Sequence, residues 1–210
     1  MQENALTFAG GAEASGPNRR TVLAGAAGAV GAGVAATALS GSVSALAAPP
    51  VPDAQEALPV ALTVNGARRS AQVDPRASLL DTLRDQWGLT GPKKGCDQGA
   101  CGACTVLLDG TRVLSCISLA VLHDGREITT VEGLVVKGEM HPVQRAFAER
   151  DGFQCGFCTS GQVTSAVGLL RENPRPSRAE ISELMSGNLC RCAAYSNIVD
   201  AVIDAARGER

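Results

Sequence analysis

Aromatic side chains are scarce in this chain of 210 residues: one Trp, one Tyr and four Phe, 3% of the total, leave few large groups for a core. Hydrophobic content is 45%, ordinary for a globular protein, so the interior must be built from small aliphatics. An excess of either charge is also missing. The formal net charge of −2 excludes the cationic footprint of a nucleic-acid or anionic-membrane binder. Histidine occurs only at His123 and His141. Neither lies beside a cysteine, so a Rieske centre with its paired imidazoles is excluded, and both read as surface residues. There is no G-x-G-x-x-G dinucleotide fingerprint, no repeat between the two halves, and no C-x2-C-x2-C-x3-C run of the bacterial four-iron type.

The opening stretch reads as an export signal rather than as fold. Arg19-Arg20 stand directly before an apolar run, Val22 to about Ala47, made mostly of Ala, Gly and Val and closing on Ala45-Leu46-Ala47. This resembles a twin-arginine signal, with Val22 where a Phe is common and no Lys after Leu23. A membrane anchor is the plainer alternative, but so much Ala and Gly makes a weak lipid-facing helix, and no stable insertion is expected. Residues 1–47 are therefore expected to be a signal peptide and 48–57 a Pro-rich linker. The expected location is periplasmic, reached by a route that exports folded, cofactor-loaded protein.

Beyond the linker the pattern is α+β. Val60, Leu62 and Val64 alternate, Asn65-Gly66 signals a tight turn, and a second strand is expected over 68–73. Ser78 can cap a helix carrying Leu79, Leu80, Leu83 and Trp87 on one face. A glycine-rich loop follows over 88–104, then strands at 105–108 and 111–114 around Asp109-Gly110, and a last strand over 127–130. From His141 the pattern is helical. Pro142 can open one helix, and Thr159 or Ser160 can cap a second with Val163, Ala166, Val167 and Leu170 on one face. The capping box Ser177-Arg178-Ala179-Glu180 opens a third, and 198–206 forms a fourth. The expected division is 58–136 and 137–210, each half too small for a secure core of its own.

What could staple such halves is the one residue type in surplus. All eight cysteines lie between 96 and 192, four in each half. Cys96, Cys101 and Cys104 are spaced C-x4-C-x2-C with Cys116 beyond, the plant-type [2Fe–2S] spacing. Gly95, Gly99 and Gly102 can take positive φ and bring backbone N–H groups to the sulfurs, while Lys93 and Lys94 read as a solvated pair. Cys155 and Cys158 form C-x2-C, and Cys190 and Cys192 form C-x-C. The N–H groups of the helix beginning near Thr159 would favour a negative cluster. Four disulfides are disfavoured because three cysteines within nine residues would each need a separate distant partner. Structural zinc is disfavoured by the C-x-C pair, since two to four intervening residues are usual. Two [2Fe–2S] clusters remain.

Three segments together resemble the iron–sulfur subunits of the xanthine dehydrogenase and aldehyde oxidoreductase family, the molybdenum hydroxylases. They are Lys94-Gly95-Cys96-Asp97-Gln98-Gly99-Ala100-Cys101-Gly102-Ala103-Cys104-Thr105-Val106, Gln154-Cys155-Gly156-Phe157-Cys158-Thr159-Ser160-Gly161, and Gly187-Asn188-Leu189-Cys190-Arg191-Cys192. The resemblance implies a ferredoxin-like (β-grasp) domain followed by a four-helix domain, with all eight cysteines as iron ligands. It implies Gln154 and Cys192 against a molybdopterin, in its cytosine dinucleotide form, held by a large partner subunit, and FAD on another. Electrons would pass from the pterin subunit to the helical-domain cluster, to the ferredoxin-like cluster and on to flavin. No substrate site is expected on this chain. The export signal is most similar to that of periplasmic aldehyde oxidoreductases. Xanthine, isoquinoline, nicotinate or carbon monoxide hydroxylases, and a stand-alone periplasmic electron carrier, are the alternatives.

Overall fold

The computed structural model describes residues 56–208. The expected signal peptide, and the linker as far as residue 55, lie outside the described residues. Strand β1 (Leu58–Val64) buries Val60, Leu62 and Val64, which share one face at period two. Asn65 and Gly66 take φ of 52° and 76°, the pair of left-handed residues that a tight hairpin needs. The chain then returns antiparallel as β2 (Ala67–Val73). Strand β3 (Thr105–Leu108) turns at Asp109-Gly110 into β4 (Thr111–Leu114). Strand β5 (Glu127–Thr129) runs parallel to β1 and antiparallel to β3. The sheet order is β2-β1-β5-β3-β4.

Helix α1 (Leu79–Asp81) is capped by Ser78, whose Oγ accepts from the Asp81 N–H at 3.0 Å. It does not continue to Trp87 with α-helical geometry, as its apolar face suggests. Residues Thr82–Gln86 widen into a π-helical turn, closed by Trp87 N–H donating to the Thr82 carbonyl at 3.3 Å. Both Trp87 and Leu89 thereby reach the core beneath the sheet.

The second half contains α2 (Pro142–Glu149), α3 (Thr159–Glu172), α4 (Arg178–Leu184) and α5 (Tyr195–Gly208). Together with the mixed sheet they make the fold α+β. The Ser177–Glu180 capping box is present. Two caps differ from expectation. Neither Thr159 nor Ser160 caps α3; Cys158 occupies that position without a side-chain bond, and both hydroxyls lie inside the helix with no protein partner. His141, far from being a bystander on the surface, caps α2. Its Nδ1 accepts from the Val143 N–H at 3.2 Å, and Gln144 Oε1 accepts from the His141 N–H at 2.9 Å. His123 is likewise half-buried.

Two hydrophobic clusters result. One joins Val60, Leu62, Val64, Leu79, Leu83, Val106 and Ile128. The other gathers α2 to α5 around Phe147, Leu169, Ile181 and Val202, and it includes Leu107. Val106 and Leu107 are consecutive in β3 and point to opposite faces, so each face of this strand serves a different core. That is why Thr105 to Leu107 are all buried rather than alternating.

Helix α3 meets the sheet directly. It is buried around its whole girth from Ser160 to Leu170, more than the single apolar face expected from its sequence. Glycines make the approach possible. A Cβ at Gly168 would lie 2.8 Å from Arg112 Cδ, and one at Gly161 would overlap the Gly102 carbonyl and sit 2.9 Å from Ala103 Cα. Arg112, on β4, crosses the junction. Its guanidinium donates to both Glu172 oxygens at 2.8 and 3.3 Å and to the Leu184 carbonyl at 2.9 Å.

Alanine at Gly161 would gain about 1 kcal/mol of helix propensity but incur about 1–3 kcal/mol of overpacking. The obstructing atoms are backbone and cannot rotate away, so overpacking wins. Gly161→Ala is expected to lower the urea midpoint, whereas Gly208→Ala, with open space around it, is expected to leave it in place.

Candidate metal centres

The first site is a loop bent by left-handed residues. Gly99 and Gly102 take φ of 76° and 72°, and Asp97 takes 57°. Gly95 has no positive φ; its glycine is needed because a Cβ would stand 2.9 Å from the Cys101 sulfur. The turns aim N–H groups inward. Ala100 N–H donates to Cys96 Sγ at 3.2 Å, and Gln98 and Cys101 add theirs. The loop is anchored at both ends. Lys93 N–H donates to the Ala103 carbonyl at 3.0 Å, and Gly91 N–H donates to Glu132 Oε1 at 2.6 Å. Lys94 is not simply solvated: its ammonium reaches Asp81 at 2.9 Å and Asp97 at 3.2 Å, tying the loop to α1.

The second site is assembled from the start of α3 and the turn before α5. Gly156 takes φ of 80° within Cys155-Gly156-Phe157-Cys158, which turns the Phe157 N–H toward the Cys155 sulfur. Ala193 takes φ of 60°, and Ala194 N–H donates to Cys190 Sγ at 3.4 Å. The Cys190 N–H donates to the Tyr195 hydroxyl at 2.9 Å.

None of the eight cysteines is paired in a disulfide. Within the first quartet Cys96 meets Cys101, and Cys116 meets Cys104. Within the second, Cys155 meets Cys192, and Cys158 meets Cys190. Among the described residues no three His, Cys, Asp or Glu side chains converge on a single ion. Four thiols meeting two by two, ringed by N–H donors, are a donor set that fits a pair of bridged irons, each taking two thiolates.

The surroundings separate the thiols electrostatically. The Gln98 N–H leads several bonds that hold Cys96 down to about 7, and the Phe157 N–H lowers Cys155. Burial pushes Cys116 up to about 11 and Cys158 up to about 12.

The quartets are joined by one backbone bond. Leu189 N–H, next to Cys190, donates to the Cys101 carbonyl at 2.9 Å. A cleft of about 440 Å³ lies between them, lined by Cys96 and Cys101 on one side and Cys155, Cys158 and Cys190 on the other. Gln154 is exposed next to Cys155, and Cys192 is half-buried against it. Phe153, Phe157, Leu189 and Tyr195, close in sequence to the second quartet, are between 40% and 51% exposed, and the last three line this cleft. Asn188 stood in the third motif segment without an assigned role, and Glu132 and Tyr195 were not singled out. Tyr195 lies three residues beyond the C-x-C pair, the local signal that could have marked it, and nothing local marks Glu132.

In iron-free protein at neutral pH, the depressed thiol ionises first and reacts first. Iodoacetamide is expected to label Cys96 well before Cys116 and Cys158. Peptide mapping over a time course checks this, and equal rates would refute it.

Residues 62–130 match the family described as "2Fe-2S iron-sulfur cluster binding domain", and residues 130–203 match the "[2Fe-2S] binding domain" family. The chain is 50% identical over 194 residues to the aldehyde oxidoreductase iron-sulfur-binding subunit PaoA of Escherichia coli, covering 84% of this chain and 85% of that one. It is 49% identical to the nicotine 6-hydroxylase small subunit of Paenarthrobacter nicotinovorans, over 73% of this chain and 93% of the other. Among solved structures, quinoline 2-oxidoreductase from Pseudomonas putida superposes with a TM-score of 0.70 at 46% identity, over 74% of this chain and 99% of the matched chain.

Proposed function

The chain belongs to the iron–sulfur subunits of the molybdenum hydroxylases, and from that premise we propose that it conducts electrons through two [2Fe–2S] clusters in an exported aldehyde oxidoreductase. Cys96, Cys101, Cys104 and Cys116 hold one cluster, and Cys155, Cys158, Cys190 and Cys192 the other. When bound, each cluster supplies one-electron redox chemistry. The protein's part is to hold the thiolates, to offer N–H groups that offset the added negative charge, and to connect the two sites. Hydrogen bonds to cluster sulfurs favour the reduced form.

The observation that carries this reading is the Leu189–Cys101 hydrogen bond. It links a residue adjoining one quartet to a ligand of the other, leaving a single non-covalent step between the two sites. The surface at Gln154 and Cys192, with the exposed Phe153 beside Gln154, is the one we assign to the pterin-bearing subunit. A free electron carrier has no use for such apolar exposure. At the other module Ile117, beside Cys116, is 62% exposed and suits a flavin-bearing acceptor subunit. An aldehyde is the substrate class we favour, because the aldehyde oxidoreductase subunit of Escherichia coli is similar over most of its length. That similarity also reaches beyond residues 56–208, which supports a shared N-terminal segment. Residues 1–47 serve as a twin-arginine signal that takes the assembled complex to the periplasm.

Tagged protein purified from its source is expected to be coloured, with two iron and two labile sulfide per quartet. It should bring down a large molybdenum subunit and a flavoprotein, and an iron-loaded chain that purifies alone would restore the free-carrier alternative. Replacing Arg19 and Arg20 with lysines is expected to leave cluster content intact and strand the complex in the cytoplasm. Undiminished periplasmic activity would remove the export assignment.

A further inference from the structure

We propose that Asn188 is a positioning residue that sets the electronic coupling between the two cluster sites. The inference rests on the two-cluster reading and concerns a side chain whose amide bonds go to Gly102 and Thr105. Asn188 is 7% exposed and lies where the two modules meet. Its Nδ2 donates to the Gly102 carbonyl at 3.0 Å and to Thr105 Oγ1 at 3.2 Å. Thr105 in turn donates its hydroxyl to the same carbonyl at 2.6 Å and its N–H at 3.1 Å. Gly102 follows Cys101, and Leu189 follows Asn188. The Asn188 amide therefore clamps the two chain segments one residue away from the Leu189–Cys101 bond.

The clamp is built tightly. Gly102 sits at φ +72°, and a Cβ there would lie 2.6 Å from Asn188 Nδ2. On its own side, the backbone of Asn188 is held independently of its side chain. Its carbonyl accepts from Gln162 Nε2 at 2.6 Å, and its N–H donates to the Met185 carbonyl at 2.9 Å. Removing the side chain thus leaves the C-x-C turn supported and cuts only the tie to the opposite module. It also removes the donor that reaches the Gly102 carbonyl from the opposite module and leaves that carbonyl to Thr105 on its own side, so the Gly102 peptide is free to shift away from Leu189. Coupling across a hydrogen bond falls steeply with its length, so the loss shows in electron exchange rather than in cluster assembly.

The test uses the full complex. Wild type, Asn188→Ala, Thr105→Val and Thr105→Ser are compared for iron and sulfide content. Low-temperature EPR then reads the splitting between the two reduced clusters, and pulse reduction reads the rate at which an electron redistributes between them. Expected for Asn188→Ala is full iron content, both EPR signals, a weakened splitting and several-fold slower redistribution. Thr105→Val, which removes one of the two Asn188 bonds and leaves the other to Gly102, should shift both readouts in the same direction by less, and Thr105→Ser should restore wild-type values. Wild-type splitting and rate in Asn188→Ala would overturn the proposal, as would loss of iron in both Asn188→Ala and Thr105→Val, since the clamp would then serve assembly. Absence of the two signals in the wild type would instead count against the two-cluster reading itself.

Discussion

A helix has to touch a loop for this molecule to exist. Helix α3 approaches the first cysteine loop so closely at Gly161 that no side chain fits between them, and again at Gly168, where Arg112 lies across it. Each half is of a size at which a core of its own is marginal, and direct backbone-to-backbone contact lets the two share a dense interior. The shared strand β3 answers the same demand. So does the position of Cys101 opposite Leu189, because the loop that carries one is pressed against the turn that carries the other.

Much of the fold was legible in the residues, wherever the cause was local. Asn65-Gly66 and Asp109-Gly110 fix their turns through backbone sterics alone, and the Ser177 capping box is satisfied within four residues. The cysteine quartets were legible for a related reason: spacing and glycine content report how a loop can wrap. What stayed hidden was long-range. Glu132 reaches Gly91 across 41 positions and Asn188 reaches Gly102 across 86, and no window of sequence contains such a pair. The π-turn after Asp81 was missed because tertiary packing outweighs weak local preference, and His141 was missed although its bonds to Val143 and Gln144 are local, because histidine is not among the favoured N-cap residues. Cys158 displaced Thr159 as the cap because the thiol must face its quartet, which fixes where the helix begins.

The two quartets share a design in which each contains a thiol near the surface, held low by backbone donors, and another pushed up by burial. Cys96, half-buried, and Cys155, exposed, are the ones fed by peptide N–H groups from their own tight turns. Charge is handled by backbone dipoles close to sulfur. The ammonium of Lys94, two residues before Cys96, is occupied by two carboxylates.

The double allegiance of β3 bears on inheritance. Leu107 belongs to the helical core although it is encoded among the strands, and Arg112 grips helices from the far edge of the sheet. A recombination event dividing the gene at the Lys137-Gly138 turn would leave one product with an orphaned strand face and the other with a hole. The pair of redox sites is therefore bound to travel between enzymes as a single cassette.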